Sequence, residues 1–220
     1  MKKQKKLLFY GRHRVGLGYL ARSLALVTEL SREFKVVFLS GGELPSKVPM
    51  PENVEFVQLP PVAVKSKSDV AKRDVKRTLD RRLERAMAVL HRLRPAVIVV
   101  DYFPFGKLQF SSELLPLLEA ARDQKPRRPL TVCALQEIEK VDSRLQIYDD
   151  LASVLCNHLF DAVLFHCDGR YARLEETFHP TTPLSIPVHY TGFVVPTDMD
   201  TDGARKTLSV IETMLQRVEE

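Results

Sequence analysis

The segment Gly11-Arg12-His13-Arg14-Val15-Gly16-Leu17-Gly18 gathers three glycines, two arginines and a histidine. Glycines allow a tight bend with unprotected amides facing a ligand, and guanidinium groups match diphosphate oxygens in a forked geometry. Gly16 and Gly18 are therefore candidates for close backbone approach, and Arg12, Arg14 and Arg22 for anion pairing. For Arg22 a surface charge flanking a helix is an equal alternative, and the whole turn can be read as serving backbone geometry alone. The spacing is not the dinucleotide fingerprint, since position 21 holds Ala21 instead of glycine, so a nicotinamide cofactor is not expected. His13 titrates near neutrality and is the candidate general base, against the plainer reading of a solvated or phosphate-touching loop residue. Asp101, which closes the apolar run 96–101, can accept hydrogen bonds from ligand hydroxyls or order its own loop. Glu137 offers a second carboxylate after the run 130–135.

Other chemistry is disfavoured. The six histidines lack metal-ligand spacing, so no metal is expected. Cys133, Cys156 and Cys167 are odd in number and form no paired motif, which reads as reduced core thiols of a cytosolic protein.

The elements that must position these residues alternate steadily. Residues 5–10 read as a strand and 17–32 as a helix with Leu20, Leu24, Val27 and Leu30 on one face. Residues 34–40 and 54–59 read as strands, 69–93 as a long helix stopped by Pro95, and 96–101 as a buried parallel strand. A helix over 111–122, a strand over 130–135, a helix over 143–158 and a strand over 161–166 follow. A helix is expected over 171–178, a short strand over 186–191 and a terminal helix over 203–218. Strands joined by crossover helices imply a Rossmann-like α/β domain: an open, mainly parallel sheet with helices on both faces and ligands at the strands' carboxyl ends.

Composition agrees with one folded domain: 220 residues, 45% hydrophobic and 28% charged, leave ample apolar material for a core. The apolar run after the basic start is far too short for a signal peptide or membrane span. The net charge of +5 is concentrated, because residues 65–94 hold eleven Lys/Arg against four Asp/Glu. A solvated helix face is one reading of that segment, and peripheral attraction to an anionic membrane surface is the sharper one. Nucleic-acid binding ranks lower, for no reading module or aromatic platform accompanies the charge.

Four segments in order carry a resemblance: Leu7-Leu8-Phe9-Tyr10, Gly16-Leu17-Gly18-Tyr19-Leu20-Ala21-Arg22, Leu39-Ser40-Gly41-Gly42 and Val100-Asp101-Tyr102-Phe103-Pro104-Phe105-Gly106-Lys107. Together they resemble predicted bacterial glycosyltransferases similar to the GT-B enzymes that add N-acetylglucosamine to lipid-linked precursors. Tyr190-Thr191-Gly192-Phe193-Val194 resembles the segment that leaves the first domain for the hinge. The resemblance implies an amino-terminal acceptor domain over 1–195, a linker over 196–202, and a terminal helix over 203–220 that returns onto the domain. It also implies that Arg12, Gly16, Gly18, Tyr19, Arg22, Asp101 and Glu137 bind a sugar or lipid-linked acceptor. Two departures stand out. Tyr19 occupies the family's histidine position, and a phenol of pKa about 10 is a poor base at neutral pH. Leu135-Gln136-Glu137 keeps a carboxylate where the family has Arg-Asp, but loses the guanidinium.

A complete GT-B enzyme has a second domain for the nucleotide sugar, and only about 25 residues follow Val195 here. The expectation is a half site without cofactor of its own, inactive alone, cytoplasmic and in peripheral membrane contact at most. As a split-enzyme half it would be completed by a separate donor-domain subunit; as an isolated or engineered domain, the reading that the short junction 196–201 favours, it would be a non-catalytic folding or assembly module. A nucleotide- or phosphate-binding protein is the remaining rival.

Overall fold

The structure is a computed structural model that describes residues 4–11, 17–42, 51, 53–62, 69–106, 108–136, 146–195 and 202–219. Runs rich in Val, Ile, Leu and Phe form its strands, and the stretches of three- and four-residue apolar spacing form its helices. In chain order these are β1 (Lys5–Gly11), α1 (Leu17–Leu30), β2 (Phe34–Ser40), β3 (Val54–Gln58), α2 (Asp69–Leu93) and β4 (Val97–Asp101). Then come α3 (Ser111–Arg122), β5 (Leu130–Leu135), α4 (Gln146–Leu159), β6 (Ala162–Phe165), β7 (Val188–Tyr190) and α5 (Asp202–Glu219).

All seven strands join one parallel sheet in the order β3-β2-β1-β4-β5-β6-β7. The chain starts in the middle, builds outward through β2 and β3, and crosses back over α2 to β4 on the other side of β1. The carboxyl ends of β1 and β4 therefore lie side by side, with Tyr10 paired to Val100. This is a Rossmann-like α/β domain, with the order reversal at the β1–β4 seam where open sheets place ligands.

Alternation along each strand sorts side chains into two apolar layers. Leu8, Tyr10, Ile98, Val100, Cys133 and Phe165 point into the layer covered by α2, α3 and α4. Leu7, Phe9, Val97, Val99, Val132 and Leu164 point into the layer covered by α1 and α5. Every residue of β4 is buried, which explains its continuous apolar run, since a parallel strand has no solvent face. The helix α5 docks on α1 through Ala204, Ile211 and Leu215. Its start comes so near the segment leaving β7 that a Cβ on Gly203 would lie 2.2 Å from the Phe193 carbonyl oxygen. None of the described helices is long and apolar enough to cross a membrane.

One expected helix does not form. Residues 171–178 make turns and a single 3-10 turn, Leu174–Glu176. The Asp168 carboxylate accepts from the Arg170 backbone N–H at 2.9 Å, and Arg173 is extended. The Leu174 amide is held by the Tyr190 hydroxyl at 3.0 Å. Local side-chain acceptors thus take the donors that a helix needs.

Candidate functional site

On the layer facing α1 and α5, the two-residue strand period runs 97, 99, 101 on β4, continues 130, 132, 134, 136 through β5 and 162, 164, 166 through β6. The apolar series ends in Asp101, Gln136 and His166, neighbours across the carboxyl rim: Asp101 pairs with Ala134, and the His166 amide donates to the Leu135 carbonyl. On β1 the matching position is Gly11, where a Cβ would collide with the Phe38 ring at 2.1 Å. A row of polar side chains therefore closes the apolar layer at the rim of the sheet.

Arg22 reaches this row from α1. Its Nη2 lies 2.5 Å from Asp101 Oδ1 and its Nη1 donates to Gln136 Oε1 at 2.6 Å. The pair is buried, with side-chain exposures of 4% for Arg22 and 1% for Asp101. Two strand ends 35 residues apart in sequence are thereby fastened to one helix. The Tyr19 ring, half-buried, stands 5.8 Å from the Arg22 guanidinium carbon.

His166 extends the row to α5. Its Nδ1 lies 2.7 Å from Thr191 Oγ1 and 3.5 Å from Thr207 Oγ1. The Thr207 hydroxyl donates to the Gly203 carbonyl at 2.9 Å, so toward the imidazole it can only accept, whereas the closer Thr191 hydroxyl can donate to Nδ1 or accept from it. Burial, seconded by the Arg22 charge, pushes the His166 pKa down to about 3, so the ring is neutral at physiological pH. Among the described residues Arg22 Nε, Ser23 Oγ and His166 Nε2 are buried without a hydrogen-bond partner. A buried polar atom left without a partner costs roughly 1–3 kcal/mol, so these atoms make the buried row less stable than its hydrogen bonds alone imply.

The loop after Asp101 is strained. Tyr102 has φ of 76°, the left-handed region that a bulky residue rarely adopts, at a cost of order 1–3 kcal/mol. Its amide donates to the Ala134 carbonyl at 2.7 Å, and its ring packs on Gly106, where any Cβ would meet it at 2.3 Å. The Asp101-to-Gly106 segment is thus held in one shape by its own aromatic residue.

The structure brings Gly18, Tyr19, Arg22 and Asp101 to one rim. Gly18 is exposed, and a Cβ there would have nothing within 4 Å, so no neighbouring atom requires a glycine. Arg22 and Asp101 meet each other, so each offers a ligand only what that pairing leaves. Arg12, His13, Gly16 and Glu137 lie outside the described residues. Sequence reasoning missed Gln136, His166, Thr191 and Thr207 as members of this cluster. The first two were legible as the polar ends of period-two apolar series.

A second buried cluster supports the same rim from the other layer. Arg82 Nε donates to Glu113 Oε2 at 2.7 Å, Nη2 to the Tyr10 hydroxyl at 2.7 Å, and Nη1 to the Pro60 carbonyl at 2.8 Å. The Tyr10 hydroxyl donates to Glu113 Oε1 at 2.7 Å. Burial opposes the Arg82 charge, but Tyr10 and Glu113 more than offset it and the guanidinium pKa rises. Burial and the Glu113 charge hold the Tyr10 phenol well above its ordinary value. Its donors and acceptors are engaged internally, so the cluster positions α2 and α3 and offers no reactive group. The three cysteines are buried, and burial raises each thiol pKa, so none is a thiolate nucleophile. Among the described residues no group of three His, Cys, Asp or Glu is placed to hold a metal.

Chemically the buried row orders the strand ends beneath the rim, and a ligand hydroxyl can reach only its less buried members, Tyr19 and Gln136. Arginine has no proton to give near neutrality, and neutral His166 is enclosed, so its described side chains suit positioning more than proton transfer.

No protein-family model and no curated protein matches the sequence. Solved structures share the fold. TcCGT1 in complex with UDP aligns with a TM-score of 0.56 at 13% identity, over 90% of this chain and 53% of that one. A UDP-glucosyltransferase from Polygonum tinctorium aligns at 0.50 and 15% identity, over 88% of this chain and 53% of that one. Sucrose-phosphate synthase from Thermosynechococcus elongatus aligns at 0.50 and 9% identity, over 99% of this chain and 100% of that one. At these identities the likeness concerns architecture, and the fold is glycosyltransferase-like. The chain spans about half the length of the first two proteins.

Proposed function

We propose that this chain supplies the acceptor side of a glycosyl-transfer site and that a nucleotide-sugar donor is held by residues outside these 220. The observation that carries this reading is the polar row Arg22–Asp101–Gln136–His166 at the carboxyl rim, beside a Gly18 that no packing contact explains. A glycosyltransferase-like fold, with Tyr19 and Gln136 the members of that rim a ligand hydroxyl can reach, supports a sugar or lipid-linked acceptor there. In this reading the rim holds the acceptor while its hydroxyl is deprotonated and attacks the sugar. Gly18 and Tyr19 border it, and Arg12, Gly16, Glu137 and, as base, His13 are assigned to it from the sequence.

The chain alone then has little or no transferase activity, and a donor-binding domain in another segment or subunit completes the site. The reading includes a cytoplasmic location with peripheral membrane contact. Exposure of Arg73, Lys76, Arg77, Arg81 and Arg85 on α2 supports that contact, and sedimentation with anionic vesicles at low salt tests it.

The deciding experiment incubates the purified chain with UDP-glucose or UDP-N-acetylglucosamine and sugar or lipid-linked acceptors. Product is then read by mass spectrometry, and acceptor binding by saturation-transfer NMR. Acceptor binding without turnover is expected. Robust turnover by the single chain contradicts the half-site reading, and binding of nucleotides or phosphates without any sugar favours a phosphate-binding protein.

A further inference from the structure

At the opposite, amino-terminal rim, the starts of β5, β6 and β7 and the last two turns of α5 enclose a cavity of about 230 Å³. It is smaller than a drug-sized pocket, which spans roughly 300–1,000 Å³. Its walls are apolar where Pro129, Pro187 and Met214 face one another, and its polar end holds His189 and Arg217. Strand register explains the histidine. His189 pairs with Leu164, a member of the layer beneath α1 and α5, so its ring points toward α5.

The charges at this rim are unevenly matched. Asp161 is paired: Oδ1 lies 2.9 Å from Arg128 Nη2, while Oδ2 accepts from the Thr131 amide at 2.8 Å. Arg217 forms no ion pair among the described residues. The carbonyl end of α5, the negative pole of the helix dipole, is met by Arg127, which donates to the Val218 carbonyl at 3.4 Å. The polar end of the cavity is therefore electropositive, with an unpaired guanidinium beside a half-buried imidazole.

The geometry points to this cavity as a binding site for a small amphipathic anion, a carboxylate or phosphate monoester with an aryl or short alkyl body. The body lies between Pro129, Pro187 and Met214, and the head meets Arg217 and His189. Because the walls come from both the sheet and α5, an occupied site clamps the helix to the sheet.

Phenyl phosphate is the probe, with inorganic phosphate and phenol as its two halves, and the His189 ring signal in carbon-proton NMR as the readout. Burial and then Arg217 hold the His189 pKa below its ordinary value; Arg128, Asp161 and Arg217 are the charged groups around it. Phenyl phosphate is expected to shift the signal saturably and raise its titration midpoint. Each half alone should bind at least about tenfold more weakly, as should phenyl phosphate to Arg217→Gln, one charge-assisted hydrogen bond being worth about that factor. Arg217 is exposed, so the variant should keep its fold, which the unchanged remainder of the spectrum verifies. The proposal is overturned by no saturable shift, by equal binding to Arg217→Gln, or by inorganic phosphate binding as tightly as phenyl phosphate. Since the cavity is at the amino rim, either outcome leaves the acceptor reading untouched.

Discussion

Replacing Asp101 by alanine should destabilise the fold far more than removing an ordinary ion pair. At an effective dielectric near 20, two charges about 4 Å apart attract by about 4 kcal/mol. Deleting one member of a buried pair costs about 3–5 kcal/mol, mostly because the other charge stays enclosed. Arg22 is 4% exposed in its side chain and, among the described residues, keeps only the Gln136 hydrogen bond once Asp101 is gone, so it meets that condition. The half-exposed Arg92–Glu55 pair provides the control and should contribute below about 1 kcal/mol. Urea unfolding of wild type, Asp101→Ala, Arg22→Met and the double variant Arg22→Met/Asp101→Leu forms the test. With a slope of about 2 kcal/mol per molar, the single variants should lose about 1.5–2.5 M in midpoint. The double variant should regain most of the loss, because an apolar pair carries no stranded charge, giving a coupling of at least about 2 kcal/mol. Single variants within about 1 kcal/mol of wild type, or losses that simply add, would refute the placement of a desolvated pair at this rim.

Other outcomes follow from neighbouring contacts. His166 is neutral in the native state with a pKa of about 3, whereas the unfolded ring titrates near 6.5, so the unfolded chain binds a proton that the native chain refuses. Its contribution to stability is complete above pH about 6.5 and falls by about 1.4 kcal/mol per pH unit toward pH 3; His166→Gln should remove that slope, and identical pH profiles would count against it. Gly203→Ala drives a methyl into the Phe193 carbonyl and should cost at least about 1–3 kcal/mol, while Gly18→Ala, facing open space, should be nearly neutral in thermal denaturation. Arg82→Met strands Glu113, which is 0% exposed, and should cost about 3–5 kcal/mol by calorimetry; a loss below 1 kcal/mol would show the cluster to be solvated.

Much of the architecture was legible because parallel strands buried on both faces must be continuously apolar, as in 97–101 and 130–135, and because helix periodicity is local. Bounds such as Asp69–Leu93 and Ser111–Arg122 follow from Pro95 and from the first polar residues around each apolar stripe. The shared rim of Gly18 and Asp101 was legible too, since it follows from strand order alone. The partner of Arg22 was not, for Asp101 lies 79 residues away and a helix arginine reads equally as a surface charge. Arg82 lies in the basic segment 65–94 but on its apolar stripe between Leu79 and Ala86, and a charge at such a position signals a buried partner. The 171–178 segment misled because Tyr171, Leu174 and Phe178 have helical spacing, while the competing acceptors, Asp168 and the Tyr190 hydroxyl, are set by sequence context and tertiary contact.

Soaking a crystal of the chain in a panel of mono- and disaccharide acceptors is the direct test of an acceptor rim. The expected result is sugar density at the carboxyl rim, within hydrogen-bond reach of the start of α1 or of residues 101–106. Saturating sugar that leaves this rim bare, or that binds only elsewhere on the molecule, would contradict it.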